Sequence, residues 1–331
     1  MKENLVDKNE KLLFTVLMVL GVLAWVGLII GTFGGALLFI LFGFIFYIFI
    51  QSGFIAYLQG SGAIITQEQF PDLYAMHMEC CDKLEVKKPP TLIMIHADGM
   101  FNALATRFSK KHYVILFSDI VDALKDEPEA TKFYIGHELG HVKRNHLFWD
   151  PFMMLVSWLP LIGAGYSRAR EITCDNHGRY CCNSDQAAVK AMSALVVGAD
   201  RWKTMNVDAL MKQNDLTKKF WMSFHEVISN YPWLIRRIAM IKDGDAKSLP
   251  RRHPMAWVLG IFVPKFSIMS LVILYVLIVG FSAMHSIKEA QGLSDNAYSY
   301  EEYSDEYGEY DFAPEVEPES SAVPYDYNFD D

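Results

Sequence analysis

A pair of histidines around a glutamate has the residue types and spacing that could do chemistry. His137 and His141 enclose Glu138 in an HExxH pattern. On a helix, positions i and i+4 share a face, so both imidazoles can reach one metal ion. Glu138 then lies where it can take a proton from a water molecule at that metal. A chance match is the alternative, because the motif alone is short.

A catalytic zinc site also needs a third protein ligand and one open position. In the segment 167–175, Glu171 and Asp175 are four residues apart and would share one face of a helix. Glu171 can be the third ligand, and Asp175 can hold a histidine ligand by a hydrogen bond. A surface helix with Arg/Glu pairs is the usual meaning of such a run. After an HExxH helix, we favour the metal ligand.

Four ordered segments between residues 68 and 242 resemble the HtpX-like membrane zinc metallopeptidases, gluzincins that also include the CAAX prenyl endopeptidase. They are the HExxH helix, which is expected to continue through His146, and the segments 167–175, 102–106 and 232–238. His146 either helps to position this helix or is a packed or solvated histidine. The resemblance implies one zinc ion (Zn2+) per chain, with Glu138 as the general base and Asp175 behind a ligand. The ligands that it implies are His137, His141 and Glu171.

The resemblance also implies residues that contact the substrate. Asn102, Ala103 and Leu104 lie on the segment that in relatives pairs with the substrate backbone as an added strand. Arg237 matches an arginine near the site that contacts substrate or transition state. The family often has His before the proline of the last segment, where this chain has Tyr231. A phenol can donate to an oxyanion, so Tyr231 is either a catalytic substitute or a packed aromatic.

The elements that must position these residues include apolar helices. Between Lys11 and Glu68 there is no Lys, Arg, Asp, Glu or His. A membrane helix needs about 20 apolar residues, so this stretch predicts two spans, near 12–30 and 36–57, with a glycine-rich break between them. A second uncharged run predicts a third span near 266–284.

The apolar stretch 147–166 lies between the HExxH motif and Glu171. It cannot make a single bilayer crossing, because His141 and Glu171 would then lie on opposite sides of the membrane and could not reach the same ion. Two crossings would need about 40 apolar residues. We therefore expect a buried or membrane-dipping helical hairpin that turns near Pro160 or Gly163. HtpX proteins have two spans in this interval, so the chain departs from them here.

The net charge of −9 over 331 residues is unevenly distributed. Residues 288–331 carry 14 acidic side chains and one lysine, a net −13, so the rest of the chain carries +4. Seven tyrosines and three prolines accompany these carboxylates, a composition typical of a disordered, solvated tail. The chain has no basic cluster with interleaved aromatics, so nucleic-acid binding is not expected.

Charge and cysteine usage predict the orientation. Basic residues precede the third span and only Lys288 follows it, so the positive-inside rule places the catalytic region in the cytoplasm and the tail on the far side. Five cysteines with two vicinal pairs do not indicate a disulfide framework, which suits a reducing compartment.

The predicted divisions are a transmembrane hairpin (1–63), a peptidase domain (64–250), a membrane segment (251–287) and the tail (288–331).

The predicted fold is mainly α with a small β-sheet, an HExxH-type zincin domain attached to transmembrane helices. Residues 91–97 and 112–118 are expected to be strands, and 185–230 helical. The expected protein is a multi-pass membrane zinc metalloendopeptidase that cleaves membrane or misfolded proteins. The family resemblance implies that it lies in a bacterial inner membrane. Two alternatives are a catalytically inactive zincin-fold scaffold, which would not need Glu138, and CAAX-type processing of prenylated peptides, which needs more spans.

Overall fold

The computed structural model describes residues 5–96, 103–244 and 249–264, and scattered positions between 275 and 289. The chain divides into two units, Met1–Ile273 and Leu274–Asp331, and all features below belong to the first. The predicted span at 266–284 falls largely outside the described residues, and the acidic tail almost entirely. Asn102 lies outside them as well.

Two long apolar helices, α1 (Lys8–Gly31) and α2 (Ala36–Ser61), stand where two spans are predicted. By length and composition, both are long and apolar enough to cross a membrane, and most of their side chains are exposed. Gly34 in the turn between them has φ +85°, a backbone conformation that glycine adopts without steric cost. Two apolar helices joined by a turn therefore lie at the predicted positions.

A mixed sheet of four strands follows, with the order β1-β2-β4-β3. The strands are β1 (Ala63–Ile64), β2 (Thr91–Ile95), β3 (Ala103–Phe108) and β4 (Lys111–Phe117), so the two predicted strands are confirmed. β2 and β4 run parallel, and β3 pairs antiparallel with β4 at the edge of the sheet. Ile55 and Leu58 from the end of α2 pack on one face. The other face belongs to the main core.

Helices make up most of the remaining described residues, as predicted for the fold class. The region 185–230 is helical only in short pieces, because turns and two 3-10 helices (Arg201–Thr204 and Gln213–Lys218) interrupt it. The helices are α3 (Pro71–Lys83), α4 (Ser118–Ala123), α5 (Pro128–Lys143), α6 (His146–Met153), α7 (Ile162–Cys181), α8 (Asp185–Val197), α9 (Val207–Lys212), α10 (Phe220–Ile228), α11 (Leu234–Asp243) and α12 (Pro254–Gly260).

α5 and α7 form the centre of the domain, and glycines let them approach closely. A Cβ added at Gly136 would lie 2.6 Å from Cys181 Sγ, and one at Gly178 would lie 2.6 Å from the carbonyl oxygen of Phe133. Neither position has room for a methyl group without a shift of the neighbouring helix. Because α5 carries the HExxH motif and α7 carries Glu171, this close packing brings the two halves of the predicted metal site together.

The segment between α6 and α7 runs alongside α1. Leu17 of α1 is fully buried in a cluster with Met153, Val156 and Tyr166. Farther along α1, the indole Nε1 of Trp25 donates a hydrogen bond to the carbonyl oxygen of Phe152, at 3.1 Å. The chain then reverses before α7 begins at Ile162. Asp150 of α6 lies 2.6 Å from Arg170 of α7, so the stretch 147–166 turns back on itself as predicted, although residues 154–161 are turns and not helix. Its packing partner is α1 between Leu13 and Trp25.

Candidate active site

The three residues predicted to bind zinc converge between α5 and α7. Glu171 Oε2 lies 3.6 Å from His137 Nε2, and Glu171 Oε1 lies 3.8 Å from His141 Nε2. Ligand atoms at the corners of a tetrahedral zinc site with bonds of about 2.05 Å are about 3.3 Å apart. Two imidazoles and one carboxylate are the donor types of catalytic zinc sites, and each imidazole Nε2 here faces a different oxygen of Glu171.

Asp175 and Arg237 lie behind His137. Asp175 Oδ1 is 3.0 Å from His137 Nδ1, and the carboxylate accepts two further hydrogen bonds from Arg237, at 2.6 and 2.7 Å. Burial would raise the pKa of Asp175, but Arg237 and His137 outweigh it and lower that pKa to about 2. The ionised carboxylate fixes the proton of His137 on Nδ1, which leaves Nε2 free for a metal.

Arg237 itself is directed inward. It is buried, and its guanidinium also lies 3.6 Å from Glu171 Oε2. The described contacts of its side chain are therefore those of a residue that positions the site, although Arg237 also lines the cleft. A contact with substrate or transition state stays a prediction.

Glu138 lies in the same cleft beside the edge strand β3. Burial raises the pKa of Glu138 to about 7; the charge of Glu171 adds to the rise, while His137 and a hydrogen bond with the backbone of Ala105 oppose it. A carboxyl group with a pKa near the working pH can both accept and return a proton. Ala103, Leu104 and Ala105 line the cleft, so two of the three predicted substrate-binding residues lie next to the predicted base.

His146 contacts His141, which the sequence pattern did not show. The HExxH helix was expected to continue through residue 146, but α5 ends at Lys143 and Asn145 has φ +54°. Asparagine tolerates this left-handed conformation better than most residues. The break turns His146 back toward the site, so that its Nδ1 lies 3.1 Å from His141 Nδ1. In a continuous helix, a side chain five residues on would be rotated about 140° away from His141.

Cys174 offers a second grouping of possible ligands. Ligand atoms of His137, His141 and Cys174 all lie within 4.8 Å of one another. Metal binding by cysteine requires the thiolate, and burial raises the pKa of Cys174 well above its usual range. Cys174 also packs against Gly140 at the helix crossing. Because the carboxylate of Glu171 faces both imidazoles at their Nε2 atoms, we prefer Glu171 as the third ligand.

The far wall of the cleft comes from the loop before α11. Tyr231 lines the cleft and is 60% exposed, so it is accessible to a substrate and is not a packed core aromatic. Its role as an oxyanion donor stays a prediction. The neighbouring Asn230 also lines the cleft, and its Oδ1 is buried without a hydrogen-bond partner. No motif in the sequence marks Asn230.

Part of this region matches a known protein family. Residues 67–164 match the sequence model of Peptidase family M48. The matched segment runs from just before α3 to the beginning of α7. It includes the edge strand and the HExxH helix, and it ends before Glu171, Asp175 and Arg237. The match supports a metallopeptidase domain in this chain.

A curated relative agrees with that match. The chain is 23% identical over 175 residues to "Plastoglobule-localized metallopeptidase 48, chloroplastic" of Arabidopsis thaliana. The similar region covers 46% of this chain and 48% of that protein. The chain thus spans about half the length of the relative, and both comparisons are with metallopeptidases.

Proposed function

We propose that this protein is a membrane-anchored zinc metalloendopeptidase in which Glu138 is the general base. The observation that carries the proposal is the convergence of His137, His141 and Glu171, with one carboxylate oxygen facing each imidazole. A hydrolytic zinc site needs these three donors, an open position and a nearby base. Glu138 and the cleft beside β3 supply the last two.

Zinc, when bound, polarises a peptide carbonyl and lowers the pKa of a water molecule to about 7. Glu138 takes a proton from the attacking water and returns it to the leaving amine. Asp175 keeps His137 in the tautomer that binds metal. Tyr231, at the opposite wall of the cleft, supplies a hydroxyl that can donate to the developing oxyanion.

The substrate in this proposal is a polypeptide in an extended conformation. In the part of the chain that the structure describes, β3 is the edge strand and pairs with β4, and Ala103 to Ala105 line the cleft. An extended chain can add to such an edge as a further strand. Substrates are proposed to be membrane or misfolded proteins. The cleft has a cavity volume of about 360 Å³, within the usual range of ligand-binding pockets.

Glu171→Gln is expected to lower the zinc affinity and to abolish cleavage. The amide would offer the metal a neutral oxygen and could face only one histidine with it. The measurements are zinc content per purified full-length chain in detergent, by elemental analysis, and cleavage of casein with and without a chelator. Glu68→Gln is the control, because Glu68 is exposed and far along the chain from α5 and α7. Full zinc content in Glu171→Gln would contradict this ligand set.

The membrane arrangement in the proposal uses α1 and α2 as spans and places the domain in the cytoplasm. The segment 147–161 then enters the bilayer with α1, because its contacts lie between Leu13 and Trp25. Helical backbone can enter the hydrocarbon region where it packs against protein. Phe152 and Trp158 are partly exposed on this segment, and lipid would cover them.

Introduced cysteines can test this arrangement, because all five native cysteines are buried. In intact cells, a membrane-impermeant maleimide is expected to label Phe33→Cys, at the fully exposed turn between α1 and α2. Gln67→Cys, on the exposed side of the peptidase domain, should be labelled only after permeabilisation. Trp158→Cys should resist labelling under both conditions. Labelling of Gln67→Cys but not Phe33→Cys in intact cells would place the domain outside.

A further inference from the structure

We propose that Glu10, on the first turn of the N-terminal apolar helix, is a positioning residue for the metal ligand His141 and acts through His146. This rests on the metal site of the proposed function. Glu10 is 1% exposed although it stands beside the predicted anchor of the chain. Its Oε1 lies 3.2 Å from His146 Nε2 and 2.9 Å from Arg144 Nε.

The contacts form one line from Glu10 to the metal position. His146 Nδ1 lies 3.1 Å from His141 Nδ1, and His141 Nε2 faces Glu171 at 3.8 Å. His146 thus has Glu10 at one ring nitrogen and His141 at the other.

This line determines which nitrogen of His141 carries the proton. A carboxylate only accepts hydrogen bonds, so His146 donates to Glu10 from Nε2–H. A neutral His146 then accepts at Nδ1 from the Nδ1–H of His141, which leaves His141 Nε2 with a lone pair for a metal. Arg144 already provides Glu10 with a positive partner, so His146 need not be charged. A doubly protonated His146 would instead accept nothing at Nδ1 and would drive the proton of His141 onto Nε2.

The two ligand histidines are then held in equivalent ways. Asp175 accepts directly from His137 Nδ1 at 3.0 Å, and Glu10 does the same for His141 through one intervening imidazole.

The chain before Glu10 also contacts the metal helices. The backbone N–H of Asp7 donates to Thr173 Oγ1 at 3.0 Å, and the side chain of Asn176 donates to the carbonyl of Leu5 at 3.0 Å. Both partners lie on α7, next to Glu171 and Asp175. The N-terminal segment therefore packs against the helix that carries Glu171 and Asp175, and it also leads into a candidate membrane anchor.

Zinc affinity of the full-length protein in detergent, measured by competition with a chromophoric chelator, tests the proposal. Glu10→Leu removes the acceptor and is expected to weaken zinc binding by about 10- to 100-fold, the usual effect of losing a partner behind a ligand. Glu10→Gln retains an oxygen that can accept a hydrogen bond from His146, so zinc affinity should fall by less than about tenfold. The wild-type affinity tests the metal site itself: wild-type protein without zinc affinity would refute the proposed function, and this inference with it.

Two further variants separate positioning from folding. Glu226→Leu is the matched control, because Glu226 is also a fully buried carboxylate with two arginine partners, Arg236 and Arg252, but it does not line the cleft. It should lower the melting temperature of the metal-free protein and leave zinc affinity unchanged. His146→Phe should weaken zinc binding as much as Glu10→Leu, and the double variant no further, because both remove one line of contacts.

The proposal would be overturned by wild-type zinc affinity in Glu10→Leu, by an equal loss in Glu226→Leu, or by additive losses in the double variant. If Glu10→Leu does not fold, Glu10→Gln and His146→Phe still decide: unchanged zinc affinity in His146→Phe would refute the line of contacts.

Discussion

Glu138→Gln is expected to lower kcat/KM for peptide cleavage by about 10²- to 10⁴-fold, the usual contribution of a general base, while zinc content stays that of the wild type. The amide of glutamine has nearly the same shape as the carboxyl group but cannot take a proton from water. Glu138 is buried in the cleft with its pKa raised to about 7, so the charge that is lost is not one that holds the fold together.

The measurement is cleavage of casein by matched amounts of zinc-loaded protein. Glu129→Gln is the control, because Glu129 lies on the same helix but outside the cleft. Equal cleavage by wild type and Glu138→Gln would mean that the activity comes from a contaminant or from another site. Stoichiometric zinc with no cleavage by the wild type would instead favour a catalytically inactive scaffold.

Arg237→Leu is expected to destabilise the folded protein by about 3–5 kcal/mol, the usual cost of removing one partner of a buried ion pair. Arg237 is 6% exposed and makes two hydrogen bonds to the carboxylate of Asp175. Without it, Asp175 would remain buried with a charge that only His137 could balance. The free energy of unfolding from urea titration of the metal-free protein in detergent measures the loss.

A second substitution identifies the source of that loss. Asp175→Asn in the Arg237→Leu background removes the unbalanced charge, so stability should partly recover. The zinc affinity of this double variant should be lower than that of the wild type, because a neutral amide oxygen is a weaker acceptor for His137 Nδ1–H than a carboxylate. If Arg237 served only to contact substrate, Arg237→Leu would change KM and leave the free energy of unfolding unaltered.

Several features of the fold could be predicted from local patterns. The apolar helices α1 and α2, the strands β2 and β4 and the HExxH helix all follow from hydropathy, residue type and periodicity over short windows. The hairpin at 147–166 followed from a distance argument, because His141 and Glu171 have to reach one ion. The ends of the short helices between residues 185 and 230 were harder to predict. Apolar residues continue past these ends, because tertiary packing determines where each helix stops.

By itself, the sequence determined which residues are candidates for the chemistry. Helix periodicity links His137, Glu138 and His141, and Glu171 and Asp175 have the same spacing on a second helix. The HExxH motif and the family resemblance together led to the prediction that the two helices form one site.

Only the tertiary structure decided how these residues are held. Arg237 follows Asp175 by 62 residues, and Glu10 precedes His146 by 136. No local rule relates residues so far apart. The left-handed Asn145 that turns His146 toward His141 is likewise invisible in a helical pattern. A buried charge needs a partner of opposite charge or a hydrogen bond. Which charged residues are buried next to each other depends on how α1, α5, α7 and α11 pack.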